Sequence, residues 1–412
     1  MNITKVKPWD VFRYSDYRVL WVVLIFGSIV SWMRILGTAQ WLLDETNSAY
    51  LVGLIGVVQL VVQIPVTLWA GNLADRLDRK KLMTYSYGLT ALVLAFLATM
   101  NFNEALTPTI IYFGIAVTAG THMLASPARA ALIPIVVAKN ELMLAVSTDT
   151  ASSNAAAIAG PLLFAFVAVT FGLTEVFLIA ALIASVSAIL PFLVKVQGFA
   201  EGHDKTKEKP SQVQQTKDGF DYVSKHPILP GLFLLDMGIT TASFYREILP
   251  VLALGLFAGG ASVTGMLGAA NSAGAILGSF IALLFVAYKA QGMLVLYASF
   301  AYGFILFGFG LAGGLVMGLL MIGLLGAADA VTVAVRQTTV MLTTPDHMRG
   351  RAFALMILTA QTANNIGTIW VGTWAGIIGA NNTMLLGGVI SIIATALIWL
   401  YWKPIRVFRA DY

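Results

Sequence analysis

Cysteine is absent from all 412 residues of the chain, so disulfides, thiolate metal sites and cysteine nucleophiles are excluded outright. Charge is scarce as well: 11% of residues are Asp, Glu, Lys or Arg, against about 25% in a typical soluble protein. Histidine occurs four times, and three of these (His203, His226, His347) fall in hydrophilic connectors without metal-ligand spacing. No metal site and no cofactor is expected, and a membrane enzyme would need a clustered nucleophile, base or metal set that the sequence does not offer. There is no G-x-x-x-x-G-K-[ST] loop, which argues against direct ATP drive. The first 19 residues are polar and mixed in charge, without a small-residue cleavage site, so the first hydrophobic span reads as a retained anchor. Hydrophobic residues dominate what remains, at 58% with a mean hydropathy of +0.83. A surface of that composition does not stay in water. The bilayer is the consistent solvent.

A spanning helix needs about 20 mostly apolar residues, since each rises about 1.5 Å across about 30 Å of hydrocarbon. That rule places spans near 20–43, 50–73, 82–100, 109–128, 142–170 and 174–194. Six more fall near 229–256, 262–286, 292–312, 314–340, 352–377 and 383–402. The expected fold class is therefore an all-α membrane protein of twelve transmembrane helices. Its domains would be an N-terminal six-helix bundle (1–195), a cytoplasmic linker (196–228) and a C-terminal six-helix bundle (229–412). The first half of the linker is charged and almost free of apolar residues, as mobile segments are. Its second half, around Phe220 and Val223, predicts a short amphipathic helix.

Lys and Arg cluster on alternate connectors. Lys5, Lys7, Arg13 and Arg18 precede the first span, Arg76, Arg79, Lys80 and Lys81 follow the second, and six lysines lie between Lys195 and Lys225. The opposite connectors (DETNSA, NFNEALT, FGLTE, FAGGASV, GANNT) contain neither. This positive-inside bias predicts cytoplasmic termini in a bacterial inner membrane. It also accounts for the net charge of +5 without invoking nucleic acid. A repeat supports two halves: one offset of 207 residues aligns Gly71 with Gly278, His122 with Asp329, Arg129 with Arg336 and Gly160 with Gly367.

The second connector reads Gly71-Asn-Leu-Ala-Asp75-Arg76-Leu-Asp-Arg79-Lys80-Lys81. It resembles the G-x-L-a-D-R-x-x-R-[KR] signature of the major facilitator superfamily. Further stretches resemble its enterobactin-exporter and macrolide-efflux branch of drug–proton antiporters. These are Ser126-Pro-Ala-Arg129, Gly219-Phe-Asp-Tyr222-Val with His226-Pro227, Leu249-Pro250, and Pro345-Asp-His-Met-Arg349-Gly-Arg351. The fifth-helix antiporter motif survives only as Gly160-Pro161. The resemblance implies alternating access with proton antiport, and a cytoplasmic latch built on Gly71, Asp75, Arg76 and Arg79. Arg129, Arg336, Arg349 and Arg351 are expected to take part in gating with them.

An ionisable group at a helix centre costs about 2.5–3.5 kcal/mol on insertion scales, so each one needs a reason. In the first span Gly27, Ser31, Arg34, Thr38 and Trp41 share a face at helical spacing. In the seventh, Asp236, Thr240, Ser243 and Glu247 do the same with Arg246 beside them. Arg34 and Arg246 can hold an anionic substrate, or Arg246 can simply neutralise Glu247 or Asp236. Gln63, Asn154, Asn271, Gln361 and Asn365 complete the expected substrate lining, although amides also join helices. Proton-coupling candidates are Asp236, Glu247, His122 and Asp329, while Asp149 is expected at the membrane interface. The partners expected are a small-molecule substrate, protons and membrane lipids around a monomer. Import of an anionic metabolite, a sensor and a lipid mover remain alternatives.

Overall fold

The computed structural model describes residues 9–76, 78–196, 212–285 and 288–410, without the side chains of 64, 67–76, 212, 213, 215 and 216. The architecture is all-helical. In chain order the helices are α1 (Ser15–Thr46), α2 (Ala49–Arg76), α3 (Arg79–Phe102), α4 (Pro108–Ala130), α5 (Ile133–Val136), α6 (Leu142–Thr170), α7 (Leu173–Ile189) and α8 (Gln212–Lys225). They continue as α9 (Leu229–Ser243), α10 (Leu249–Phe257), α11 (Ala261–Leu284), α12 (Gln291–Gly310), α13 (Leu315–Thr343), α14 (Asp346–Ile378), α15 (Ala380–Tyr401) and α16 (Lys403–Val407). Among the described residues, nine helices have the length and hydropathy to cross a membrane. The remaining three spans read from the sequence fall on α2, on the α9–α10 pair and on α14.

Local chemistry sets several helix starts. Asp78 accepts the amide of Lys80 at 2.8 Å to cap α3, and Thr107 accepts that of Ile110 ahead of Pro108, the first residue of α4. The seventh span departs from the continuous helix expected over 229–256. It breaks between Ser243 and Leu249, leaving Phe244–Ile248 without α-helical structure. Pro250, the second residue of α10, has no amide to give and suits a helix start. Arg246 and Glu247 sit in the break.

The chain divides into two compact units. Unit 1 is Met1–Thr38 with Val61–Lys209, and unit 2 is Ala39–Leu60 with Pro210–Tyr412. The C-terminal end of α1 and the start of α2 are thus grouped with the second half of the chain. Within unit 1, α3 packs on α4 and α7. Asp16 accepts the amides of Lys195 and Val196 at 2.9 and 3.0 Å, tying the end of the six-helix segment back to its beginning. Within unit 2, α11 packs on α13, α12 on α13 and α15, and α9 on α14 and α15. Gly53 of α2 lies against Gly372 of α14, and Gln40 accepts a hydrogen bond from Thr264 of α11 at 3.0 Å.

The amphipathic helix expected in the linker is α8, which begins earlier than its apolar pair indicated and packs on α14. Val223 is buried while Phe220 is exposed. Arg351 reaches Asp218 at 3.0 Å, and the Tyr222 hydroxyl donates to the Thr343 carbonyl at 3.4 Å. His226 closes the joint to α9: its Nδ1 accepts the amides of Ile228 and Leu229, both at 3.2 Å, and its ring lies 5.7 Å from that of Tyr222. Burial pushes the His226 imidazole down from its usual pKa, against a smaller opposing hydrogen bond with the Thr343 backbone. The neutral ring is the form that caps. A histidine with a depressed folded-state pKa contributes stability above its unfolded value of about 6.5 and loses it as pH falls. We therefore expect His226→Asn, which still caps, to retain stability at pH 7.5 but to flatten its decline towards pH 5.5. His226→Leu should cost about 1 kcal/mol at the higher pH. Thermal unfolding of the three proteins at the two pH values measures both effects.

Candidate transport site

Each unit encloses polar groups inside otherwise apolar helices. In unit 1, a cavity of about 20 Å3 is lined by Ser31 and Arg34 of α1, Ser86, Tyr87 and Thr90 of α3, and Thr121 and His122 of α4. Arg34 is buried and His122 exposed. The Thr90 and Thr121 hydroxyls meet at 2.7 Å, and Gly27 leaves room for the Tyr87 ring, whose hydroxyl would lie 2.5 Å from a Cβ there. Among the described residues, no carboxylate lines this cavity. Every polar group in it donates hydrogen bonds, and one is a permanent cation.

The same unit contains a saturated ion pair. Arg129 of α4 holds Asp149 of α6 at 2.7 Å, and the other carboxylate oxygen accepts the Tyr17 hydroxyl at 2.9 Å. Asp149 is therefore buried. The reason is that neither charge can remain alone among apolar helices. Arg79, expected in the cytoplasmic latch, donates to the Ala131 carbonyl at the end of α4 at 3.0 Å, a contact within unit 1.

The unit 2 cavity, about 30 Å3, is lined by Asp236 and Thr240 of α9, Ser299 and Tyr302 of α12, and Asp329, Thr332 and Arg336 of α13. Arg336 pairs with Asp236, and both side chains are nearly buried. Thr240 donates to the same Asp236 carboxylate at 3.4 Å. Tyr302 donates to the Ser243 hydroxyl at 3.2 Å, and Ser243 to the Ile239 carbonyl. Each cavity has room for about one water, so these are small polar pockets in the walls of the bundles.

The other sequence candidates separate. Thr38 turns its hydroxyl to the Arg34 carbonyl of its own helix. Asn271 joins Tyr245 at 2.6 Å and the Ile322 carbonyl at 3.3 Å, which is helix packing. Trp41, Gln63, Glu247 and Asn365 are buried, Arg246 and Asn154 half-buried, and Gln361 exposed. Among the gating candidates, Arg349 pairs with Asp346 of its own helix and Arg351 with Asp218. The side chains of Gly71, Asp75 and Arg76 lie outside the described residues. Sequence reasoning missed Tyr87 and Thr90 on α3, Ser299 and Tyr302 on α12, and Tyr17. All are hydroxyl residues that carry no charge to draw attention in a greasy span.

A multi-pass helical chain with ion pairs and hydroxyls buried between its spans has the make-up of a membrane transporter. The chain belongs to the transmembrane secretion effector family of the major facilitator superfamily, whose profile matches residues 6–411. It is 21% identical over 381 residues to the staphyloferrin A transporter of Staphylococcus aureus, covering 92% of this chain and 94% of that one. It is 24% identical over 355 residues to YfiS of Bacillus subtilis, an uncharacterized transporter of the same superfamily, covering 82% and 81%. Among solved structures, the nucleoside transporter NupG matches with a TM-score of 0.76 at 14% identity, over 94% of this chain and 99% of that one. A bacterial homologue of the human lysosomal transporter Spinster matches at 0.71 and 15%, over 96% and 97%. Likenesses this distant define the fold: the major facilitator architecture.

Proposed function

We propose that this protein is a proton-coupled exporter of a small organic solute, working by alternating access from an inner membrane with both termini in the cytoplasm. The observation that carries the reading is the unit 2 cavity, where two carboxylates and one guanidinium share a wall of the bundle. Such a group changes charge with proton occupancy, which is what coupling to a proton gradient requires. The resemblance to the staphyloferrin A transporter makes that compound the first cargo to try.

Everted membrane vesicles containing the protein, given an acidic interior, should concentrate added staphyloferrin A or ethidium. The accumulation should collapse when nigericin dissipates the gradient. Accumulation that ignores the gradient removes the proton. If neither probe enters beyond control vesicles, export of such solutes goes too.

A second reading has its own observation. The unit 1 cavity sets the Arg34 guanidinium among hydroxyls and His122, and a guanidinium suits the carboxylate or phosphate group of an anionic solute. Counterflow in proteoliposomes preloaded with an organic carboxylate, at equal pH on both sides, favours that reading if labelled carboxylate enters. It should then fail with Arg34→Ala.

A further inference from the structure

The last described residues of unit 2 return across the end of the bundle where α11 and α15 finish and α12 begins. Trp402 Nε1 donates to the Pro227 carbonyl at 2.8 Å, just ahead of α9. The Ile405 carbonyl seats against Gly292 of α12, where a Cβ would collide with it. The Ala410 amide then donates to the Lys289 carbonyl at 2.8 Å. Ile405 and Ala410 are buried, so the segment 402–410 is fastened along its length. The fastening gathers charge. It carries Lys403, Arg406 and Arg409 to an edge that already presents Lys289. No acidic residue occurs between Glu247 and Asp329, or between Asp346 and Asp411, which lies outside the described residues. Among the described residues none of these four cations forms an ion pair, whereas Arg336, Arg349 and Arg351 of the same unit each hold an aspartate.

The surroundings are those of a bilayer surface. Helices α11 and α15 have the length and hydropathy to cross a membrane, so the first residues beyond their ends stand at headgroup depth. Lys289, Lys403 and Arg409 are exposed there, beside exposed Leu284, Tyr288 and Tyr401. Tyrosine favours that depth, with its ring in the apolar layer and its hydroxyl in the wet one.

We propose that the segment 402–410, together with Lys289, is a binding edge for anionic phospholipid. The lipid phosphate meets the cations of the fastened segment, where the Arg409 guanidinium offers a planar fork suited to it. The acyl chains run past Tyr401 and Leu284. A zwitterionic lipid brings its own ammonium beside the phosphate and gains little at such an edge. Neither cargo nor proton enters into this binding.

Native mass spectrometry of the purified full-length protein, titrated in detergent with phosphatidylglycerol or phosphatidylcholine, counts the bound lipid directly. Wild type should retain phosphatidylglycerol in preference to phosphatidylcholine. Lys403→Gln with Arg406→Gln and Arg409→Gln should weaken phosphatidylglycerol about fivefold per charge, or roughly a hundredfold. The pair Lys403→Gln and Arg409→Gln changes only exposed side chains, stays folded, and should lose about twentyfold. Arg18→Gln with Lys139→Gln and Lys195→Gln removes the same charge from exposed positions of unit 1. It should leave the first phosphatidylglycerol bound as in wild type. Equal retention of the two lipids by wild type overturns the proposal. So does a unit 1 variant that loses as much as the 402–410 variant, since the attraction would then be to net charge alone.

Discussion

Replacing Arg336 with methionine is expected to destabilise the protein by about 3–5 kcal/mol, the cost of leaving one member of a buried pair alone. Asp236, with a side chain only 13% exposed, would stay in the same enclosed site without its cation. Asp329, in the same cavity, would face a second carboxylate with nothing between them. The companion variant decides what the pair is for. Asp236→Leu with Arg336→Met replaces both ends by apolar groups, and such swaps are often neutral or stabilising. We expect the double variant to recover most of the stability lost by the single one while failing to transport. Unfolding monitored in mixed micelles gives the first quantity and vesicle accumulation the second. If the double variant is as unstable as the single one, the two side chains are not coupled and the pairing has been misread.

The second large effect is expected at Gly278. A Cβ there would collide with the Ala327 carbonyl of α13, and one at Gly274 with the Gly323 carbonyl, a step earlier on the same face. Gly326 answers from α13, pressed against the Asn271 carbonyl. These glycines let the backbones of α11 and α13 touch, in the manner of small-residue seams in membranes. Overpacking a core ordinarily costs about 1–3 kcal/mol because side chains can move. Here the obstacle is main chain on both sides, so Gly278→Leu should exceed that range and leave little folded protein. Gly350 is the control: it lies in α14 with nothing within 4 Å of its would-be Cβ. Gly350→Ala should leave stability unchanged or raise it by up to about 1 kcal/mol. Yield of monodisperse protein by fluorescence-detected gel filtration separates the two. A well-folded Gly278→Leu would refute the seam.

Hydropathy made most of the fold legible, because length and apolarity are what a bilayer selects. The fifth span illustrates this: the expected 142–170 is the extent of α6. The seventh span shows the limit. Its residues are apolar enough to read through, yet Arg246, Glu247 and Pro250 fall within eight residues of Ser243, and the helix stops there. Pro65, Pro127 and Pro161 lie inside helices that continue. Proline alone does not separate the two cases. The adjoining charge pair was the usable signal.

For the site, charge was readable and partnership was not. Arg129 and Asp149 are each anomalous in a greasy segment, and that anomaly is visible in the sequence. Their pairing joins residues twenty apart on two different helices and follows no helical period. Hydroxyl groups were the least legible. Tyr17 and Tyr302 each complete a buried polar cluster, but a tyrosine in a hydrophobic stretch looks the same whether its oxygen is used or not.

The interrupted seventh span has a mechanical consequence. A continuous helix resists bending because every tilt strains hydrogen bonds along it. Five residues without that ladder join α9 to α10, and α10 is only nine residues long, about 13 Å. Its direction is therefore set by its packing on α11 and α15 and not by the helix before it. Arg246 and Glu247 sit in that joint, so a change in the charge they meet acts on a stretch that no helical ladder stiffens.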